Sequence, residues 1–331
     1  MRIVALEEHF MVPELVGRID PDAIARRGFA PPDVPWGQAS KQQELQELGA
    51  VRLRDMDAAG ITVQVLSVSG PGADLVAGEA GIALARDYND ALARTVAGQP
   101  DRFRGFAHLP MQAPAAAADE LARAVQELGF HGALVNGPTD GRFLDDPAFE
   151  PILARAEALS VPIYIHPGIP PAPVRAAYYE GLPGNLGFIL SIAGWGWHVE
   201  TAVHVLRLVL SGALDRHPRL KLVIGHMGEA LPFMLARCEQ TFGAETPKFL
   251  CRSVSETILD QVWITTSGFF AVAPFMAALL TFGADRILFS VDYPYSTNRA
   301  GRDFFDRLPL APTDREKIAH VNADGLLNLP N

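Results

Sequence analysis

The chain has 331 residues, with 28 Lys or Arg against 38 Asp or Glu, so its formal net charge is -10. Hydrophobic residues make up 49% of the chain and charged residues 20%, which excludes a disordered protein and supplies enough apolar material for a large core. The acidic balance also argues against a nucleic-acid partner, because binding to phosphates needs clustered Lys and Arg.

Short apolar runs rich in β-branched residues alternate with longer periodic segments. The runs are typical of buried strands, and the periodic segments are typical of helices. The predicted strands lie at residues 3–10, 61–68, 103–110, 132–137, 161–168, 221–228, 262–268 and 286–294. The predicted helices lie at 41–60, 74–98, 115–129, 149–160, 198–214, 231–242, 273–283 and 314–329.

Eight strand–helix units predict an α/β fold in which a parallel sheet closes into a (β/α)8 TIM barrel. The composition shows no break and no linker, so residues 1–331 are predicted to form a single domain. Two long irregular stretches, residues 11–38 and 169–194, follow the first and fifth strands. We expect these insertions to lie over the active site, because loops after the strands build the active sites of this fold.

Polar residues lie near the C-terminal ends of several predicted strands, where active-site residues of a barrel lie. They are Glu7, His9, His166, His226 and Asp292. Because side chains alternate along a strand, Glu7 and His9 share one face and Glu8 takes the other. Imidazole and carboxylate groups are good ligands of Zn²⁺ and Mn²⁺. We therefore predict a divalent metal site in the mouth of the barrel.

Other candidate residues carry weaker signals. His198 and His204 lie within a predicted helix and are interpreted as structural, and His108 ends the third strand, where a supporting role is expected. The two cysteines, Cys238 and Cys251, follow the sixth strand away from every strand end, so we expect no nucleophilic cysteine. A glycine-rich phosphate loop and a Gly-x-Ser-x-Gly elbow are both absent from the required contexts.

The same sequence predicts a cytoplasmic protein without a membrane partner. Two cysteines are too few for a disulfide framework and fit a reducing compartment. The N-terminus has no basic and apolar leader of the secretory kind. The longest apolar stretch, residues 187–197, is shorter than the roughly 20 residues that a membrane helix needs.

With these motifs in order, the chain resembles the amidohydrolase-related decarboxylases, relatives of aminocarboxymuconate-semialdehyde decarboxylase that act non-oxidatively on hydroxybenzoates. The closest likeness is to enzymes of the γ-resorcylate and 2,3-dihydroxybenzoate type. The resemblance covers essentially the whole chain. The segments that carry it are VALEEHF (4–10), GFHGALVNG (129–137), GHMGE (225–229), ITTSG (264–268) and ADRILFSVDYP (284–294).

The resemblance implies one divalent ion per chain, Mn²⁺ or Zn²⁺, and no organic cofactor. By resemblance the metal ligands are Glu7, His9, His166 and Asp292, and the supporting acid–base pair is His226 and Glu229. Tyr295 corresponds to an aromatic residue of the substrate pocket, and Arg237 to an arginine that crosses a subunit interface, which implies a homodimer or homotetramer. The fourth strand ends without a lysine, which argues against two-metal hydrolase chemistry.

The implied activity is that of a carboxy-lyase acting on a small aromatic carboxylate with an ortho hydroxyl. Such a reaction needs an acid near the ring carbon, and Asp292 is the candidate, with His226 as its proton partner and Glu229 orienting His226. A mononuclear hydrolase or hydratase of a lactone or small ring would use the same ligands, with Asp292 as base. A barrel that only binds small molecules is the third alternative.

Overall fold

The computed structural model describes residues 1–29 and 40–329. Residues 30–38 of the first predicted insertion lie outside this part of the chain. The strands, each an extended apolar run, are β1 Val4–Phe10, β2 Val63–Val68, β3 Phe103–Gly105, β4 Ala107–His108, β5 Ala133–Asn136, β6 Ile163–His166, β7 Leu222–Ile224, β8 Val262–Thr265 and β9 Ile287–Leu288.

All strand pairs are parallel, in the orders β1-β2-β3 and β4-β5-β6-β7-β8-β9. β3 and β4 are two parts of one predicted strand, and between them Phe106 donates its N–H to the carbonyl of Leu66 in β2, at 2.9 Å. Beyond β9, Tyr293 forms a parallel bridge with Glu8 of β1, and His9 donates its N–H to the Tyr293 carbonyl at 2.7 Å. The last strand thus returns to the first, and the predicted TIM barrel is confirmed.

The α-helices flank the strands, mostly one after each. They are α1 Pro13–Val16, α2 Pro21–Arg27, α3 Gln42–Gln46, α4 Ala50–Ala59, α5 Gly78–Gly98, α6 Pro114–Gln126, α7 Glu150–Leu159, α8 Ala172–Tyr178, α9 Leu186–Ser191, α10 Gly196–Leu210, α11 Ala213–Arg216, α12 Leu231–Phe242, α13 Val254–Gln261, α14 Val272–Phe282, α15 Asn298–Arg307, α16 Pro312–Glu316 and α17 Asn322–Leu327.

Several predicted elements need correction. The predicted helix 41–60 is two helices, α3 and α4, separated by an extended turn at Glu47. The stretch 169–194, predicted as irregular, contains α8 and α9. The sixth predicted strand, 221–228, ends at Ile224 and continues as a tight turn, and the eighth, 286–294, is regular only over two residues. α13, which carries a Ser253–Glu256 capping box, was not predicted.

The barrel interior is filled below the site by side chains such as Val4, Leu6, Val65, Tyr164 and Val223, all fully buried. A larger apolar cluster packs the outside of the strands against the helices. Burial on both faces explains why the strands appear in the sequence as continuous apolar runs. No helix in residues 1–29 and 40–329 combines the length and apolarity that crossing a membrane requires.

Candidate metal centre

Four of the predicted residues converge in the barrel mouth. One ligand atom from each of Glu7, His9, His166 and Asp292 lies within 4.8 Å of all the others. His9 Nε2 is 3.2 Å from Asp292 Oδ1, and His166 Nε2 is 3.4 Å from Glu7 Oε1. These residues come from strands that are far apart in the sequence and meet only because the barrel closes. Two imidazoles and two carboxylates form a donor set suited to Zn²⁺ or Mn²⁺.

The two oxygens of Glu7 have different surroundings. Oε2 accepts hydrogen bonds from the Tyr164 hydroxyl and, at 2.6 Å, from Ser267 Oγ. Oε1 has no hydrogen-bond partner among the described residues although it is buried, and the same holds for His9 Nε2. Buried polar atoms without partners are costly, and a cation between them would satisfy both. The residues present therefore fit a metal ion.

Electrostatics keeps Glu7 ionised at this position. Burial by itself raises the pKa of the Glu7 carboxyl, but the surrounding imidazoles of His226, His166 and His9 outweigh burial and hold the pKa well below its usual range. A deprotonated carboxylate is the form that binds a metal.

A β-bulge in β1 orients these ligands. The register with β2 gains one residue between Ala5 and Glu8, so Leu6 belongs to the interior apolar cluster and Glu7 also points inward. As the alternation predicts, Glu7 and His9 share a face and Glu8 points away. Without the bulge, strict alternation from the inward-facing Leu6 would turn Glu7 outward and Glu8 inward. Bulges beside active sites commonly redirect side chains in this way.

Asp292 is held in a conformation that few non-glycine residues adopt. Its φ is 68°, in the left-handed region. The fully buried carboxyl group of Glu8, whose pKa burial raises to about 8, accepts the N–H groups on either side, from Val291 at 2.9 Å and from Tyr293 at 3.1 Å. Glu8 therefore positions Asp292 from behind.

His226 and Glu229 also meet as predicted. They lie in the turn after β7, where both have left-handed φ values, 50° and 54°. Glu229 Oε1 is 2.7 Å from His226 Nδ1, while His226 Nε2 points toward the ligands, 3.8 Å from Asp292 Oδ2. Burial lowers the pKa of His226, but the carboxylates of Glu229, Glu7 and Asp292 raise it well above its usual value. These carboxylates favour the protonated imidazolium form of His226, the form that can donate a proton toward Asp292.

His198 is a site residue that the sequence interpretation missed. Its Nδ1 lies 2.5 Å from Glu229 Oε2, and its ring is 4.8 Å from the ring of His226, edge to face. The sequence predicts a structural role for both His198 and His204, and His204 does have a structural contact, accepting the N–H of Leu144 at 2.8 Å. The available signal was its position in the first turn of α10, directly after an insertion over the site.

A cavity of about 470 Å³ opens onto the candidate metal ligands His166 and Asp292. Its walls are mainly apolar, with residues such as Met11, Ile169, Phe188, Trp197 and Tyr295. The Tyr295 hydroxyl is 2.7 Å from Ser69 Oγ, and its ring meets His9 edge to face at 5.7 Å. The predicted pocket residue Tyr295 thus lies beside the metal ligands, and the cavity suits a flat apolar molecule with a polar end.

Arg237, the other residue predicted to bind substrate, is not part of this cavity. It is exposed on α12 and donates to Gln240 Oε1 at 3.1 Å. Its predicted role requires a second subunit, so it stays a prediction.

The barrel and its four convergent ligands define a metal-dependent enzyme of the TIM-barrel class. A profile of the amidohydrolase family matches residues 9–329. The chain is 40% identical to the γ-resorcylate decarboxylase of a Rhizobium species over 336 aligned residues, which cover 98% of each protein. The chain belongs to the amidohydrolase family.

Solved structures of decarboxylases are also similar to this chain. A crystal structure of 2,6-dihydroxybenzoate decarboxylase complexed with 2,6-dihydroxybenzoate has a TM-score of 0.88 and 38% identity, covering 99% of this chain and 100% of that one. A dihydroxybenzoic acid decarboxylase from a Polaromonas species, crystallised with manganese and the inhibitor 2-nitroresorcinol, has a TM-score of 0.88 and 38% identity, covering 99% and 97%. The relatives named here are decarboxylases, and one of them carries manganese.

Proposed function

We propose that this protein is a metal-dependent carboxy-lyase that removes CO₂, without oxidation, from a 2-hydroxybenzoate-type acid. The observation that carries the proposal is the position of Asp292. One of its oxygens faces His9 in the proposed ligand set, and the other faces Nε2 of His226. A group that faces both a metal position and a proton donor suits protonation of a ring carbon. The similarity to dihydroxybenzoate decarboxylases supports the same reaction.

The metal would be held by Glu7, His9, His166 and Asp292. When bound, it would supply charge stabilisation and a fixed point for the carboxylate and ortho hydroxyl of the substrate. Mn²⁺ is the ion we propose, with Zn²⁺ as the alternative, because the Polaromonas relative was crystallised with manganese. The proposed reaction needs no organic cofactor.

The chain's own residues supply the proton. Asp292, carrying the proton on Oδ2, the oxygen that faces His226, delivers it to the ring carbon that bears the carboxylate, so a C–H bond forms and the carbon becomes tetrahedral. The bond to the carboxylate then breaks, its electron pair returns to the ring, and CO₂ leaves. His226 Nε2 returns a proton to Asp292, while Glu229 holds the ring of His226 from the other side. Positioned acids of this kind contribute about 10²–10⁴-fold, and the apolar walls exclude water.

Release of CO₂ from a panel of 2-hydroxybenzoates by Mn²⁺-loaded protein tests the proposal. We expect turnover by the natural sequence and a loss of about 10²-fold or more in D292N and H226N. D285N is the matched control, because Asp285 lies at the other end of the same barrel strand and pairs with Lys317 on the surface. Turnover of a lactone panel with no CO₂ from any benzoate would overturn the proposal in favour of a hydrolase.

We also propose that the protein works in the cytoplasm as a homodimer or homotetramer with α12 at the subunit interface. The free thiols of Cys238 and Cys251 favour a reducing compartment. On α12, Phe233 is 83% exposed and Arg237 lies one turn further along, which is the composition of an interface anchor beside a charged group. Sedimentation analysis of the natural chain and of R237A, together with their KM values, tests this assignment.

A further inference from the structure

Arg27 is a cation in the cavity wall that the proposed reaction does not use. It is the last residue of α2, within the insertion after β1, and it lines the cavity together with the metal ligands His166 and Asp292. Its Nη1 donates to the carbonyl oxygen of Ile169, another cavity residue. Arg27 therefore joins the two insertions while keeping its guanidinium at the cavity.

This guanidinium has no carboxylate partner within 4.0 Å among residues 1–29 and 40–329. Burial lowers the pKa of Arg27, and so does the neighbouring Arg175 guanidinium. Carboxylates that lie beyond 4.0 Å raise it, namely those of Asp74, Asp140 and Glu200. Partly buried charges are normally paired. In the described part of the chain, the Ile169 carbonyl is the one hydrogen-bond acceptor of this guanidinium, and a guanidinium in a cavity wall is suited to a ligand that offers an oxygen acceptor.

Arg27 also packs against the chain just beyond β6, the strand that ends in His166. Its Nη2 would be 3.0 Å from a side-chain carbon at Gly168, so the guanidinium packs against the backbone there. Gly168 follows the ligand His166 by two residues, and consecutive Cα atoms are about 3.8 Å apart. The guanidinium thus lies on the β6 side of the cavity, which His166 and Asp292 also line.

We propose that Arg27 forms a substrate subsite that binds a second oxygen substituent on the aromatic ring, beyond the reacting carboxylate and its ortho hydroxyl. The inference rests on the proposed function and narrows its substrate class to 2-hydroxybenzoates with a further hydroxyl or carboxylate. Planar N–H donors in a mainly apolar wall favour such a substrate, because an unsubstituted ring would leave them without an acceptor.

The neighbouring Arg175 provides a matched control. Its Nη1 donates to the carbonyl oxygens of Arg27, at 3.1 Å, and of Pro170, at 2.7 Å, so it braces the same insertions. Arg175 does not line the cavity. A change at Arg175 therefore disturbs the loops without removing the proposed donor.

The test compares the natural chain, R27M, R27K and R175M, all loaded with Mn²⁺. For each protein, kcat/KM is measured by CO₂ release from 2-hydroxybenzoate, 2,4-, 2,5- and 2,6-dihydroxybenzoate and 4-hydroxyisophthalate. The readout is kcat/KM for a substituted acid divided by kcat/KM for 2-hydroxybenzoate. This ratio is compared between each variant and the natural chain, because the intrinsic reactivity of the acids then cancels. For the preferred acid, R27M should lower this ratio by about tenfold or more, mainly through KM.

R27K, which keeps the charge but loses the planar fork, should give an intermediate ratio, and R175M should leave the ratio unchanged. The dihydroxybenzoates test whether the bound substituent is a hydroxyl, and 4-hydroxyisophthalate tests whether it is a carboxylate. An equal loss on all acids in R27M, or no preference for a substituted acid in the natural chain, would overturn the inference. Calorimetric Kd values for the same acids and proteins provide a second readout. If no acid releases CO₂, the proposed function fails, and the Kd ratios alone decide the role of Arg27.

Discussion

The carboxylate of Glu229 lies 2.5 Å from Nδ1 of His198, opposite its contact with His226. Both histidines and Glu229 are buried. A carboxylate between two imidazoles can rotate little, so the ring of His226 keeps Nε2 directed at Asp292. Burial raises the pKa of Glu229, but His226 and His198 together hold it below its usual value.

We expect H198A to shift the acidic limb of the kcat–pH profile toward higher pH and to lower kcat about tenfold or more. The reason is that loss of the His198 contact removes one of the interactions that lower the pKa of Glu229 and lets its carboxylate rotate. H198Q, which restores a donor, should recover part of kcat. A uniform loss at every pH, with no recovery in H198Q, would contradict this role.

We expect E8Q to weaken metal binding about 10–100-fold, as is typical when the residue that orients a ligand is changed. An amide can accept through only one atom, so it cannot serve the N–H groups of both Val291 and Tyr293, and Asp292 loses its support. Isothermal titration with Mn²⁺ measures the effect. E44Q is the control, because Glu44 pairs with Lys41 near the surface and its loss should leave the affinity unchanged.

Gly225 should tolerate no side chain. A Cβ there would lie 2.5 Å from Glu7 Oε2 and 2.9 Å from Ser267 Oγ, so G225A should displace the Glu7 carboxylate. We expect G225A to bind well below one metal ion per chain after loading, as measured by elemental analysis. G98A, at a helical glycine with open space around it, should bind metal normally. Full metal occupancy in G225A would show that the Glu7 geometry is not required.

His204 should make stability fall in mild acid. Burial lowers its pKa from 6.5 to about 3, with the Arg207 guanidinium acting in the same direction, and protonation of Nε2 would also break the hydrogen bond from the Leu144 N–H. Between pH 6.5 and about 3 the unfolded chain binds this proton and the folded chain does not. The free energy of unfolding therefore decreases by up to about 1.4 kcal/mol for each unit by which the pH falls.

The variant H204Q isolates this contribution. Urea unfolding of H204Q and of the natural chain at pH 5 and pH 7 should show a smaller loss of stability for H204Q in acid. Identical losses for the two proteins would mean that His204 is not the group responsible.

Much of the barrel follows from local sequence patterns. Alternating strand and helix segments predicted all the barrel strands, and α12 has the predicted bounds. The eighth predicted strand is mostly irregular because Asp292 takes a left-handed φ, and the side chain of a residue far away, Glu8, supports it. A short turn within the helix predicted at 41–60 was likewise not visible in its periodicity.

The site was predictable to a similar extent. Glu7, His9, His166 and Asp292 stand near strand ends, and a parallel barrel brings such ends together whatever the details of the helices. His198 was missed because helical periodicity is the same whether a residue of the first turn faces the apolar core or faces the site. No sequence pattern distinguishes Arg27. It becomes a candidate substrate-binding residue only in the structure, where the two insertions meet.

The sequence by itself determined the fold class and the ligand types, because strand alternation and helical periodicity are properties of neighbouring residues. Only the tertiary structure decided which atoms meet: the Oε1 of Glu7 beside the imidazoles of His166 and His226, the carboxylate of Glu229 between two imidazoles, and the guanidinium of Arg27 against Gly168. Each of these depends on a bulge, a strained turn or the packing of one loop on another. Such contacts join segments that are distant in the chain, so no local pattern encodes them.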